Sequence, residues 1–154
     1  MGGFTNWVAA GLTAIAILLY VVFYTIMLKR HTTQNIVWGG AAGCMPVLIG
    51  WSAVTGSLAL EPFILFLVVF FWTPPHYWPL AIKYKRDYDA AGVPMLPSKV
   101  PPTSVGKQII LYAWAMVLSS LALIPLAPMG PLYISVAVLA GAWFLYECYT
   151  FVRR

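Results

Sequence analysis

Long apolar runs alternate with short polar stretches along this chain, and this pattern predicts its elements. An α-helix needs roughly 20 mostly apolar residues to cross the hydrocarbon core of a bilayer. Five runs meet this requirement: Trp7–Leu28, Ile36–Val54, Pro62–Ile82, Gln108–Ala127 and Pro131–Val152. The strands of a membrane barrel would be shorter and would alternate apolar with polar residues. We therefore expect an all-α, polytopic membrane helix bundle with about five transmembrane helices, forming a single transmembrane domain over residues 1–154.

Composition indicates that the helices are surrounded by lipid. Hydrophobic residues make up 62% of the chain and charged residues only 8%. Soluble domains are typically about 45–50% apolar and about 25% charged. A water-soluble core of 154 residues could not bury so much apolar surface. The lipid bilayer is thus the expected partner of most side chains.

Basic residues follow every second predicted crossing. They occupy Lys29–Arg30, the segment 83–107 and Arg153–Arg154, whereas Thr55–Glu61 and Pro128–Gly130 contain no Lys or Arg. By the positive-inside rule, connections rich in Lys and Arg face the cytoplasm. We expect a multi-pass protein of the cell membrane, with its N-terminus outside and with the loop 83–107 and the C-terminus in the cytoplasm. Because the positive charge sets topology in this way, no nucleic-acid partner is expected.

Three prolines predict an interruption near the end of the third run. Pro74, Pro75 and Pro79 each lack a backbone donor and crowd the preceding turn. We expect the regular helix to end here and the irregular backbone to line a cavity, where such backbone is tolerated at membrane depth. His76, which lies between these prolines, could ligate haem iron, move a proton or bind a carbonyl. It could equally well satisfy backbone carbonyls freed by the prolines, and both interpretations stay open.

Gly39 and Gly43 in the second run have two explanations. Small residues four apart let two helices approach closely, and this explanation is favoured by the pattern alone. The alternative is a thin wall that admits a bulky ligand.

The loop 83–107 carries the two aspartates of the chain, Asp87 and Asp89. Mg²⁺ prefers one or two carboxylates together with substrate phosphate oxygens, and Lys83 and Arg86 could neutralise the same phosphates. If the segment is helical, Lys83–Asp87 and Lys85–Asp89 would instead be i,i+4 pairs on a solvated face. Spacing alone favours the second interpretation.

A second basic cluster, Lys29–His31, precedes the polar residues Thr32–Asn35. Topological anchoring and helix capping are the simplest explanations for these two features.

Several short segments occur in a fixed order over residues 20–97. Together they indicate a protein family more specifically than any one of them does alone. They are Tyr24–Arg30, Thr32, Asn35–Val37, Gly39–Gly43, Leu48–Trp51, Val54–Gly56, Trp72–His76, Asp87–Tyr88 and Ala91–Pro97. In order and spacing they resemble the protohaem IX farnesyltransferases, or haem O synthases, a branch of the intramembrane prenyltransferases. After residue 97 only the general hydrophobicity agrees.

The resemblance implies a bundle of about nine helices around a central cavity that is open to lipid. It implies transfer of a farnesyl group from farnesyl diphosphate to a vinyl group of haem B, giving haem O, with Mg²⁺ as cofactor. A partner in the haem A pathway is also conceivable. The resemblance assigns Asp87 to a loop that holds Mg²⁺, and Lys29 and Arg30 to a loop that binds the diphosphate. The substrate-binding residues that we expect are Asn35, Trp72, His76, Lys83, Arg86 and Tyr88. Trp72, Tyr77 and Trp78 could shelter an allylic cation or stack on the porphyrin.

Two departures from the family pattern bear on activity. The first Asp-rich loop of the family is missing, since no acidic residue precedes Glu61. The residue four positions after Asp87, where the wider superfamily has a second Asp, is Ala91, a reduced form typical of haem O synthases. We interpret the chain as helices four to eight of about nine, an internal fragment that is inactive by itself. The alternatives are a prenyltransferase acting on a quinone precursor, which the segment Trp72–His76 disfavours, and a non-catalytic membrane scaffold or subunit.

Overall fold

Helices account for all regular structure in residues 6–153, the range that the computed structural model describes. In chain order they are α1 (Trp7–Leu18), a π-helical continuation (Leu19–Leu28), α2 (Asn35–Thr55), α3 (Leu60–Lys83), α4 (Lys85–Ala90), α5 (Leu96–Lys99), α6 (Pro102–Ala122) and α7 (Pro131–Arg153). The predicted outer N-terminus and the basic residue Arg154 lie outside the described residues.

Five helices in this range are long and apolar enough to cross a membrane: α1 with its continuation, α2, α3, α6 and α7. This confirms the all-α, polytopic class and the predicted number of spans. The fourth span begins at Pro102 rather than near Gln108, because proline fixes a backbone angle that suits the first turn of a helix. The segment 83–107 therefore contains the end of α3, the short helices α4 and α5, and the start of α6.

Consecutive spans pack side by side, with α1 on α2, α2 on α3, α3 on α6 and α6 on α7. Only the inner helices bury much of their surface, and the spanning window of the first helix buries none of its residues. The centre of the packing is Trp78 on α3, which is 0% exposed and meets the ring of Tyr112 edge-on, with 5.5 Å between ring centroids. This arrangement leaves the outward apolar faces to lipid.

The prediction that the prolines end the third helix is wrong. α3 continues through Pro74, Pro75 and Pro79 to Lys83. Pro74 and Pro75 are buried where α3 packs against its neighbours, and spanning helices tolerate proline when neighbouring helices surround the freed backbone. Packing on both sides therefore outweighs the local cost of three prolines.

The close approach of α2 to α3 depends on a glycine that the sequence pattern did not single out. A Cβ atom added at Gly40 would lie 3.1 Å from the Cβ of Thr73. The Thr73 hydroxyl is directed back to its own helix and donates to the backbone oxygen of Val69 at 2.9 Å. The absence of a side chain at residue 40 thus lets the two helices meet at this point.

Candidate functional site

A cavity of about 750 Å³ lies between the π-helical continuation, α2, α3, α4 and the segment that follows α4. This volume is within the range of about 300–1,000 Å³ that is usual for small-molecule sites. Its walls are largely aromatic and glycine-rich, and its polar side chains are few: Lys29, Asn35, Thr73, Asp87 and the hydroxyls of its tyrosines.

One cation and one carboxylate line the cavity, Lys29 and Asp87. Lys29 is the first residue after the π-helical continuation, and its backbone N–H donates to the carbonyl of Tyr24 at 2.8 Å. Asp87 lies in the first turn of α4. Neither side chain forms an ion pair or hydrogen bond with any residue between positions 6 and 153, so both charges are free to meet a ligand.

The end of α4 fixes how the chain returns to the cavity. Gly92 has a φ of +67°, a left-handed conformation that favours glycine. The N–H of Gly92 donates to the carbonyl of Asp89 at 3.1 Å, and that of Val93 donates to Tyr88 at 3.0 Å. This is the Schellman arrangement that ends a helix. It directs Val93 and Met95 into the cavity wall beside Tyr88.

Asn35, the first residue of α2, joins two segments of the cavity wall. Its amide nitrogen donates to the backbone oxygens of Lys29 and Pro94, each at 3.2 Å. The side chain is 2% exposed, and its Oδ1 has no hydrogen-bond partner among the described residues.

Five of the residues expected from the sequence come together in this cavity: Lys29, Asn35, Trp72, Asp87 and Tyr88. Of the other expected residues, Tyr77 lines it as well, whereas Arg30, His76, Lys83, Arg86 and Trp78 do not.

The alternative of i,i+4 ion pairs on α4 is not what the structure forms. Neither Lys83–Asp87 nor Lys85–Asp89 is an ion pair within the described part of the chain. The ammonium group of Lys83 lies instead 5.4 Å from the centroid of the Tyr84 ring.

His76 packs on the outer side of the aromatic wall. Its imidazole stacks on the Trp72 ring, with centroids 4.3 Å apart and planes 16° apart, and meets Tyr77 edge-on at 5.1 Å. It makes no hydrogen bond to a carbonyl anywhere in residues 6–153. His76 therefore supports two cavity-lining aromatics without lining the cavity itself.

Trp78 does not have the expected place beside the cavity. Helical rotation directs it away from Tyr77 and into the packing against Tyr112 on α6. The expectation that Trp78 shelters a cation is thus corrected to a role in the core, whereas Trp72 and Tyr77 do line the cavity.

Two tyrosines of the first span were missed by the sequence pattern. Tyr20 and Tyr24 line the cavity, with 5.6 Å between their ring centroids. They lie on the π-helical continuation, a conformation that is rare and often occurs at functional sites. The run Leu19–Leu28 is apolar and aromatic except for Thr25, whose hydroxyl donates to the carbonyl of Tyr20, and its composition does not mark the change of helix type.

Gly39 and Gly43 have different surroundings, so each of the two explanations fits one of them. A Cβ atom at Gly39 would lie 2.7 Å from Cε2 of Tyr24, so this glycine makes room for a cavity-lining ring. At Gly43 a Cβ atom would meet nothing within 4 Å. Gly43 lines both this cavity and an adjoining apolar hollow of about 340 Å³ between α1 and α2. Close helix packing therefore fits Gly39, which meets the Tyr24 ring of the first span, and a thin cavity wall fits Gly43.

Comparison with known proteins decides the family. Residues 1–154 match the model of the UbiA prenyltransferase family over the whole chain. The chain belongs to the UbiA prenyltransferase family.

Curated relatives within this UbiA family carry a more specific name. The chain is 66% identical over 147 residues to the "Protoheme IX farnesyltransferase" of Leifsonia xyli subsp. xyli, covering 96% of the chain and 48% of the relative. It is 58% identical over 148 residues to the protein of that name from Rhodococcus jostii, covering 96% of the chain and 48% of the relative. It is 56% identical over 151 residues to the protein of that name from Tropheryma whipplei strain Twist, covering 98% of the chain and 50% of the relative. No solved structure matches the chain.

These findings confirm the resemblance inferred from the ordered segments. The chain spans about half the length of the curated relatives it matches. Family membership and the five candidate spans together make it a multi-pass membrane protein.

The oxygen atoms in the cavity of this UbiA chain fit the Mg²⁺ that the resemblance implies. The Asp87 carboxylate has no ion-pair partner in residues 6–153, and the buried Oδ1 of Asn35 has no hydrogen-bond partner there. Carboxylate and amide oxygens are the protein ligands that hard divalent cations prefer. No group of three or more His, Cys, Asp or Glu residues in the described range could hold a metal. If a divalent cation binds here, these oxygens would supply only part of its coordination, and waters or substrate oxygens would supply the rest.

Proposed function

We propose that the protein containing this chain transfers a farnesyl group from farnesyl diphosphate to a vinyl group of haem B, giving haem O. The observation that carries the proposal is that Lys29 and Asp87, neither of which has an ionic partner among residues 6–153, line one aromatic cavity. A diphosphate with a long apolar substituent needs a cation, a metal-binding carboxylate and an apolar wall in one place. The names of the relatives support this choice of substrates.

Lys29 is the residue that we propose for binding the diphosphate. Its ammonium group would form charge-assisted hydrogen bonds to phosphate oxygens. As the bond between the allylic carbon and the diphosphate oxygen breaks, negative charge grows on the leaving group. The Lys29 ammonium, exposed in the free chain, would stabilise that charge, and more strongly once the bound substrate displaces water.

Asp87 would hold Mg²⁺. When bound, Mg²⁺ supplies Lewis-acid stabilisation of the negative charge on the diphosphate. Arg30, Lys83 and Arg86 lie near Lys29 or Asp87 in sequence and are exposed, so we propose them as peripheral contributors to the same positive field.

The aromatic wall would stabilise the organic part of the reaction. The faces of Tyr24, Trp72 and Tyr77 carry negative quadrupole charge, which attracts the allylic cation as it develops. One carbon of the haem vinyl group then forms the new bond to the farnesyl carbon that has lost its diphosphate. Water adds to the remaining vinyl carbon and releases a proton, which leaves a hydroxyethyl group on haem O. Tyr88 would position the head of the substrate at the polar end, and Asn35 would shape that end by holding the backbones of Lys29 and Pro94 together.

The apolar remainder of a substrate would lie along the α1–α2 side of the cavity. Gly43, with no atom within 4 Å of its missing Cβ, leaves the cavity continuous with the adjoining hollow. We further propose that the polar end, with the segment 83–107, faces the cytoplasm, and that the N-terminus is outside.

A chimera tests the proposed reaction. In it, this chain replaces the matching half of the Leifsonia xyli relative, with which it is 66% identical over 147 residues. Membranes containing the chimera are given haem B and farnesyl diphosphate, and products are identified by mass spectrometry. We expect a product with the mass of haem O. A prenylated quinone precursor in place of haem O, when both acceptors are supplied, would contradict the proposal.

A further inference from the structure

The amide group of Asn35 has a fixed orientation. Its nitrogen faces two backbone acceptors, the oxygens of Lys29 and Pro94, each at 3.2 Å. Rotating the amide by half a turn would place Oδ1 against these two carbonyl oxygens, and acceptors repel one another. The hydrogen-bond network therefore determines which atom of this cavity-lining residue is left for another partner, and that atom is the oxygen.

The oxygen that remains is a buried acceptor without a partner. Asn35 is 2% exposed, lines the cavity, and leaves Oδ1 with no hydrogen bond to the described residues. Buried polar atoms are nearly always satisfied, so an orphaned one requires a partner that the described residues do not supply: a water, an ion or a ligand atom. An amide oxygen can meet only a donor or a cation. The ionised oxygens of a diphosphate are themselves acceptors, so they cannot satisfy it.

We propose that Asn35 Oδ1 is a neutral oxygen ligand, directly or through a bound water, of the divalent cation that Asp87 holds. This inference rests on the proposed function, because it takes the cation at Asp87 as given. Amide oxygens, carboxylates and waters are together the usual surroundings of Mg²⁺ and Mn²⁺ in proteins.

The same side chain gives the cation site its shape. Through its nitrogen, Asn35 holds the backbone at Lys29, the proposed diphosphate-binding residue, against the backbone at Pro94, which follows α4 and Asp87. Asn35 thus has two separable roles. Its nitrogen holds two backbone segments together, which we call the brace, and its oxygen would be the ligand.

Binding of Mn²⁺ alone separates these two roles. The chain is placed in lipid nanodiscs, and free Mn²⁺ is measured by electron paramagnetic resonance during a titration. Asn35→Leu keeps the approximate shape of the side chain and removes both the brace and the ligand. Asn35→Asp removes the amide donors but keeps an oxygen at the cavity. Asp89→Asn is the matched control, since Asp89 lies on the same short helix as Asp87 and does not line the cavity.

We expect Asn35→Leu to weaken Mn²⁺ binding about tenfold, Asp89→Asn to leave it unchanged, and Asn35→Asp to bind at least as tightly as the wild-type chain. Equal losses of Mn²⁺ affinity in Asn35→Leu and Asn35→Asp would show that Asn35 acts only through the hydrogen bonds of its nitrogen, and would overturn the inference. If Asn35→Leu does not fold, Asn35→Asp decides alone. Mn²⁺ binding is retained in this variant if the side-chain oxygen is a ligand, and it is lost if only the hydrogen bonds of the nitrogen matter.

The Asp87→Asn variant distinguishes failure of this inference from failure of the proposed function. If Asp87→Asn binds Mn²⁺ as the wild-type chain does, or the wild-type chain binds none, the cation site itself is refuted. If Asp87→Asn loses binding and Asn35→Leu does not, only the role of Asn35 is refuted.

Discussion

Lys29 and Asp87 line one cavity although they belong to different connections between the spans. Asn35 is the link between the two connections, because its amide bonds to the backbone of Lys29 and to that of Pro94 beyond α4. A cation and a carboxylate that are held together without neutralising each other are suited to a ligand that carries negative charge and a divalent metal.

The orientation of the chain is testable by cysteine labelling. Lys99 is exposed at the end of α5, whereas the native Cys44 and Cys148 are buried and should react poorly. We expect Lys99→Cys in right-side-out vesicles to resist a membrane-impermeant maleimide until the vesicles are opened. The matched position is Ser57, exposed between α2 and α3, where Ser57→Cys should react from outside. The reverse pattern would refute the cytoplasmic placement of the segment 83–107.

Gly43 should control how much apolar substrate the cavity accepts. A leucine there would project into the cavity and the adjoining hollow without meeting a protein atom near its Cβ. We expect Gly43→Leu in the chimera to lower kcat/KM for farnesyl diphosphate by at least about tenfold, with a smaller loss for a shorter allylic diphosphate. Protein abundance in the membrane should be unchanged.

Gly50→Leu is the control for this experiment, because Gly50 lies two turns further along α2, is equally open around its Cβ, and lines neither cavity. Similar losses for Gly50→Leu would show that a bulky residue on this helix acts through stability or lipid contact.

His76→Ala should reduce product formation through the aromatic wall. The imidazole stacks on Trp72, so its loss frees a ring that we propose to face the reacting carbon. We expect kcat to fall several-fold while the amount of folded chimera in the membrane stays constant. His76→Phe, which keeps a flat ring for stacking, should retain most of the rate if support of Trp72 is the role. Activity that falls in step with abundance would instead indicate a purely structural histidine.

Much of this architecture was predictable from the sequence, because spans in lipid follow from length and hydropathy, two properties that the five apolar runs display directly. The prediction failed where packing outweighs local preference. Three prolines would end an isolated helix, yet α3 continues because α2 and α6 pack on it. Similarly, the spacing of Gly39 and Gly43 is identical for helix packing and for an open wall, and only the surroundings of the missing Cβ atoms distinguish the two.

The candidate site was predictable in part for a similar reason. Lys29, Asp87 and Trp72 were expected from the resemblance and do meet. The rotation of α3 relative to α6 decides which of Tyr77 and Trp78 faces the cavity. The sequence does not show this rotation, so the prediction that Trp78 shelters a cation was wrong. Tyr20 and Tyr24 belong to a π-helical segment whose composition is that of any spanning helix.

The chain by itself should be inactive. It spans about half the length of its curated relatives, and its described residues contain no cluster of three or more His, Cys, Asp or Glu side chains placed to hold a metal. A leaving group that is misplaced by about 1 Å can lose about 10²-fold in rate, so half a site should not suffice. We expect no haem O from nanodiscs that contain the chain, haem B, farnesyl diphosphate and Mg²⁺. Haem O formed under these conditions would show that the additional length of the relatives is dispensable.

The central claim is that Asp87 holds the metal that neutralises the diphosphate, and its most direct test is the rate of haem O formation by the chimera with Asp87→Asn. This change keeps the shape of the side chain and removes its charge. We predict a loss of at least about 10²-fold in kcat, with Asp89→Asn close to the unaltered chimera and with equal amounts of each protein in the membrane. Haem O formed by Asp87→Asn at the unaltered rate would contradict the account.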